Sequence, residues 1–252
     1  MLNPNEGKYY GQLTMGYDGG TANYNGVLAT VQHRMSRNFS VLANYTWSHC
    51  IGTQDRQSFV GVSGAQNQSN FRAETASCIM DVRHNGNISG VFSSPSGGGK
   101  WMGRLLGNWQ VAPMIRANSG MPFNITSGRD NSLTAVANDR PNLVQPGSVY
   151  KPLDASLQWL NPAAFAQNAA GTFGNLGRNA VTCCSSFRFD MALNRTIPIS
   201  EQLRLDVRAE AFNAINHTSF TQPSGVLTSS VFGKIQGALD PRILQFALKL
   251  QF

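Results

Sequence analysis

The chain of 252 residues is long enough for one large all-β unit or two small domains, and only 13% of it is charged, while 25 glycines and 11 prolines interrupt it at frequent intervals. No run approaches the ~18 to 20 apolar residues of a membrane-spanning helix, which excludes a helical membrane protein. The formal charge of +7 comes from basic residues scattered singly (Arg34, Arg116, Arg188, Arg204, Arg208 and Lys249 among them), whereas nucleic-acid binding needs them clustered.

The opening residues MLNPNEGKYYGQL hold neither a basic n-region nor an apolar h-region, so no export signal is read from them. If the protein is exported, its signal is expected to lie outside these residues. From there on, alternation of apolar and polar residues marks half-exposed strands, because successive side chains on a strand point to opposite faces. The pattern is weak over Tyr9 to Tyr17, where Leu13 and Met15 oppose Gln12 and Thr14, and in 24–35, which includes Val27, Ala29 and Val31. Residues 39–48 put Val41, Ala43, Tyr45 and Trp47 on one face, and 84–94 alternate poorly around Ile88 and Phe92. The long segment 107–127 sets Trp109, Val111, Ile115, Met121, Phe123 and Ile125 against Asn108, Gln110, Arg116, Asn118, Asn124 and Thr126. Phe187, Phe189, Met191 and Leu193 then oppose Arg188, Asp190, Ala192 and Asn194.

The two final segments alternate best. Leu203, Leu205, Val207, Ala209 and Ala211 oppose Arg204, Asp206, Arg208 and Glu210, and four charges on one face exclude a dry sandwich core there. Leu244, Phe246, Leu248, Leu250 and Phe252 oppose Gln245, Ala247, Lys249 and Gln251. Together these segments predict about eight antiparallel strands.

The connections alternate in length. Ser36-Arg37-Asn38 and 198–202 are tight and 95–106 is Gly-rich, whereas 49–82, 128–184 and 218–240 are long and polar. An outer-membrane barrel has short periplasmic turns, longer extracellular loops, an apolar outer band and a polar interior. The expected fold is therefore an all-β, antiparallel transmembrane barrel segment. Its lumen-facing positions are expected to be Arg116, Arg188, Asp190, Arg204, Asp206, Arg208, Glu210, Gln245 and Lys249. Leu248, Leu250 and the terminal Phe252 have the spacing expected of the signal that barrel-assembly machinery recognises.

The four cysteines lack zinc-site spacing. Cys50 and Cys78 flank one long loop, so either a disulfide closing that loop or unpaired loop thiols fits them, and Cys183 and Cys184 sit at the edge of another. His33, His49, His84 and His217 are dispersed, and His49 beside Cys50 lacks a third partner for nucleophilic chemistry. SPSGGGKW at 94–101 departs from a phosphate loop because Trp101 follows the lysine where Ser or Thr belongs. Asp130, Asn131, Asp139 and Arg140 read as loop solvation before a cation or ligand site. No enzyme activity, cofactor or metal is expected.

Several stretches in order resemble the TonB-dependent receptors, in particular the Oar-like group that carries an N-terminal carboxypeptidase-regulatory-like domain. They are Asn23-Tyr24-Asn25, ANYTWSH at 43–49, DVRHNGNISGVF at 81–92, LLGNWQVAPMIRANSGMPFNITSG at 105–128, DNSLTAVANDRPNLV at 130–144, WLNPAAF at 159–165, GTFGNLGRN at 171–179, RAEAFNAINHTSF at 208–220 and the ending RILQFALKLQF. The resemblance implies that residues 1–252 are the C-terminal portion of a 22-stranded receptor barrel, with the plug and regulatory domains outside the chain. It implies as partners outer-membrane lipid, the barrel-assembly machinery, the plug, TonB and a substrate of unknown identity. A structural or adhesive surface barrel or sandwich without transport is the alternative.

Overall fold

The computed structural model describes residues 19–36, 38–53, 65–67, 69–94, 107–134 and 139–252. The alternating segments become long strands: β1 (Ala22–Ser36), β2 (Phe39–Gly52), β4 (His84–Ser93), β5 (Trp109–Asn118), β10 (Ser186–Pro198), β11 (Arg204–Phe212) and β12 (Ile243–Gln251). Short strands lie between them: β3 (Ala76–Ser77), β6 (Met121–Phe123), β7 (Asn142–Leu143), β8 (Phe165–Ala166) and β9 (Val181–Cys183). The main sheet is wholly antiparallel and runs β1-β2-β4-β5-β10-β11-β12, with β3 beside the end of β2. Each long strand pairs with the next long strand in sequence, as in a meander wall. Among the described residues β1 and β12 are its edges. The expected strand over Tyr9 to Tyr17 and the Gly-rich turn 95–106 lie outside the described residues.

Register fixes the two faces, because directly opposed residues share a face. Leu205, Val207, Ala209 and Ala211 stand opposite Leu250, Leu248, Phe246 and Leu244. The same face continues through Leu193↔Ala209, Leu193↔Val111, Ile88↔Ile115, Ala43↔Ile88 and Val31↔Ala43, so one face is apolar from edge to edge. None of these side chains is buried, and the edge strands are the most open, with Leu248 at 73% and Val31 at 68% relative accessibility. A water-soluble sheet would cover them. At the tight-turn end, His33, Phe39 and Phe92 stack at ring separations of 4.2 and 6.3 Å, and the Arg195 guanidinium lies 4.9 Å from the Trp109 ring centroid. Arg195 sits on the apolar face, and this contact lets its charged head stay at the rim among aromatics.

The buried core lies elsewhere. Phe123, Ile125, Leu160, Ala164, Phe165, Leu176, Val181, Cys183 and Phe232 form one cluster, and none of them is on a long strand. The described parts of the three long connections 53–83, 119–185 and 213–242 pack together as a cap at one end of the wall. Thr126 bridges Val226, Gln158 bridges Lys234, and Phe165 meets Phe232 edge-on at 5.5 Å.

This cap corrects the expectation of a continuous strand over 107–127. The ladder stops at Asn118, and Met121–Phe123 pairs instead with Val181–Cys183 in a separate sheet. The chain leaves the wall at Gly120, where a Cβ would lie only 2.4 Å from the Cys183 carbonyl oxygen. Phe123 and Ile125, each 1% exposed, thus fill the cap's core and do not continue the apolar face of the wall.

Candidate functional site

The second face of the wall carries Thr30, Asn44, Asn87, Arg116 and Arg188 in one cross-strand row. All nine positions expected to face a lumen fall on this side. Arg116 and Arg188 oppose each other near the capped end, Glu210 opposes Gln245 near the capped end of β11 and β12, and Asp206 opposes Lys249 toward the tight-turn end. Arg204 is level with Gln251, and Arg208 is level with Ala247.

Two pairs of these charges neutralise one another locally. Arg208 pairs with Glu210 two residues on, and Arg188 Nε donates to Asp190 Oδ1 at 2.8 Å. Asp206 accepts from Thr196 Oγ1 at 2.7 Å and from Gln251 Nε2 at 2.8 Å. Arg116 differs, donating only to Met114 Sδ, at 2.9 and 3.3 Å.

Two of the cap's connections are held together by a buried ion pair between segments far apart in sequence. Arg140 and Glu74, with side chains 5% and 2% exposed, meet through two hydrogen bonds of 2.7 and 3.0 Å. Gln66 joins them: its N–H donates to Glu74 Oε1 at 3.0 Å and its Oε1 accepts from the Arg140 N–H at 2.6 Å. Arg178 Nε donates to the Glu74 carbonyl at 2.9 Å. Gly174 must lie close to this network, because a Cβ there would sit 1.8 Å from the Arg140 carbonyl oxygen.

The four loop residues read as solvation are bound up within the cap. Arg140 belongs to the ion pair, Asp139 Oδ2 accepts from the Ser132 N–H at 2.6 Å, and Asp130 Oδ1 accepts from the Thr134 N–H at 3.0 Å. Asn131 Nδ2 donates to Gln167 and Asn168 at 2.7 and 3.0 Å. No group of three or more His, Cys, Asp or Glu residues suited to a metal occurs among the described residues.

Cys50 and Cys78 are disulfide-bonded with Cα atoms 5.4 Å apart, and Cys183 and Cys184 are bonded to each other. Just beyond the first bridge, Asp81 accepts from the Cys50 N–H at 2.8 Å and lies 2.9 Å from His49 Nδ1 and 3.1 Å from Arg83. Burial alone would raise the Asp81 carboxyl, but these three partners outweigh it and hold the group below the ordinary carboxylate range.

A wall apolar on one face and polar on the other, with its core moved into the long loops, is the architecture of a membrane barrel. A comparison with protein families agrees, because residues 2–245 match the outer membrane beta barrel domain. The chain belongs to that family. No curated protein matches it. The barrel resides in the bacterial outer membrane, so the exposed apolar face is the lipid face and the aromatic row at the tight-turn end fits an interfacial girdle.

Sequence reasoning overlooked the ties that assemble the cap. Glu74 and Arg140 are 66 positions apart, and no local pattern joins them. Arg195 on the lipid face was legible, since it has the parity of Leu193 two residues before it.

Proposed function

We propose that this barrel is the C-terminal part of an Oar-like TonB-dependent receptor whose polar wall face lines the lumen and whose cap forms the extracellular vestibule. Its role is uptake of a solute, with no covalent chemistry. A plug domain and TonB would act from outside this chain, and the barrel-assembly machinery would insert it through the strand that ends in Leu248, Leu250 and Phe252.

One observation supports the reading above others. The polar face is continuous from β1 to β12 in the observed register, which a transport lumen requires and an adhesin lacking a pore does not. The ordered receptor-like motifs point the same way. The test is genetic. The reading expects a plug and a TonB box encoded in the same gene, and a growth or uptake phenotype of the gene's deletion that a TonB deletion reproduces. A gene without a plug, or a phenotype indifferent to TonB, favours the adhesive alternative.

A further inference from the structure

On the polar face just below the cap, two adjoining cross-strand rows bring six polar side chains together: Asn85↔Asn118↔Ser186 and Asn87↔Arg116↔Arg188. Like charges placed directly opposite each other destabilise a sheet unless something neutralises them. Among the described residues the only carboxylate paired with this cluster is Asp190, which bonds Arg188 at 2.8 Å and also receives the Asn213 N–H at 2.8 Å.

Arg116 is left with a thioether, a weak acceptor for a guanidinium that carries five N–H donors. Asn87 Oδ1 is buried without a hydrogen-bond partner, and the side chains of Asn85 and Asn118 bond to no other described residue. Elsewhere on the same face Arg208 pairs with Glu210, Lys249 stands opposite Asp206 and Arg204 stands opposite the neutral Gln251, so this is the place where two arginines directly oppose each other. Arg116, Arg188 and Asp190 sum to a single positive charge, which suits a monoanion better than a phosphate dianion. A planar carboxylate matches the guanidinium fork with two parallel hydrogen bonds.

We propose that Arg116 and Arg188 form a binding site for a carboxylate that also carries a hydrogen-bond donor, with Arg116 holding the carboxylate and Asn87 Oδ1 accepting from the donor. The site names a ligand class for the lumen and rests on the polar face being the lumen wall. The carboxylate has two sources of the same chemistry: a soluble hydroxy acid in transit, or an acidic side chain of another segment of the protein.

Protein extracted from outer membranes in mild detergent is titrated with gluconate as the soluble probe and with a capped aspartyl peptide as the side-chain probe, and binding is followed by saturation-transfer NMR. Tighter binding of gluconate identifies a solute site, and tighter binding of the peptide identifies a protein-docking site. R116Q and R188Q are each expected to weaken the preferred probe about tenfold or more. R116K, which keeps the charge and the fold but loses the fork, should give an intermediate loss. R204Q, at the far end of the same face, should change nothing. Absence of saturable binding of either probe, or binding indifferent to R116Q and R116K, overturns the site. S89C, also on the polar face, tests the underlying reading in lipid, since all native cysteines are bonded. Labelling of S89C by a water-soluble maleimide without carboxylate binding sinks the site alone, whereas failure to label sinks the lumen reading and the site with it.

Discussion

Replacing Glu74 with Gln isolates what ties two of the cap's connections together. The substitution conserves shape and one acceptor oxygen, but it removes the charge that compensates Arg140. The guanidinium would be left 5% exposed, facing a neutral amide whose NH₂ is aimed at one of its own donors. Breaking one partner of a buried pair costs roughly 3 to 5 kcal/mol, since the remaining charge stays desolvated. The surviving Gln66 N–H bond and the intact Arg140 Nε bond to Leu176 O, at 2.8 Å, place the expectation near the lower end, at about 3 kcal/mol.

That loss is predicted to be local. The wall is held by its ladders and by lipid, and the cap by its own core, so the readout is hydrogen exchange of cap peptides over 119–185 and 213–242. At tenfold per 1.4 kcal/mol, their amides should exchange about a hundredfold faster, with β10 and β11 unchanged. The paired replacement E74M/R140M should recover part of the loss, because two apolar side chains of similar length bury no charge. An E74Q cap that exchanges like the native one would refute the reasoning, since the pair would then carry no net energy.

Other outcomes follow from the same geometry. Leu205→Arg and Leu248→Arg should each cost ~2 to 4 kcal/mol in a folding assay in lipid, and Gln245→Arg much less; equal penalties would invert the face assignment. Cys50 and Cys78 should resist thiol labelling in the unfolded, non-reduced protein, and reduction should destabilise the loop of 28 residues' separation by about 3 to 4 kcal/mol on the chain-entropy argument. The Asp81 carboxyl is depressed in the folded state, so its contribution is complete above the ordinary carboxylate range and is lost as pH falls through the folded value. Faster exchange of the Cys50 amide on acidification, absent in Asp81→Asn, is the check.

The wall was legible because a membrane strand reports its surroundings residue by residue. Lipid on one side and polar surroundings on the other impose a period of two, and Leu244 to Phe252 keep it without a break. The cap obeys no such period. Its chain is irregular and is held by side-chain-to-backbone bonds such as Gln66 Nε2 to Gly174 O at 3.0 Å, whose partners are 108 positions apart. The alternation after Asn118 misleads for the same reason: Met121, Phe123 and Ile125 keep the parity of a lipid face while the last two fill the cap. Gly120 and Pro122 were the available signs that the ladder ends there.

Apolar residues in this protein therefore serve two different media, and the distinction decides how each tolerates change. Leu248 meets lipid, which flows around any apolar shape, so Leu248→Ala forfeits mainly transfer energy and leaves no cavity. Leu160 is 0% exposed in a packed core, where the same truncation adds a cavity cost and reaches roughly 2 to 5 kcal/mol. The reverse holds for charge, because the cap can pair it, as Glu74 pairs Arg140, whereas the middle of the lipid face offers no partner. Thus the wall is constrained in polarity and free in shape, and the cap is constrained in shape and able to hold paired charge. The polar face below the cap meets neither constraint, and that is where two opposed arginines are retained.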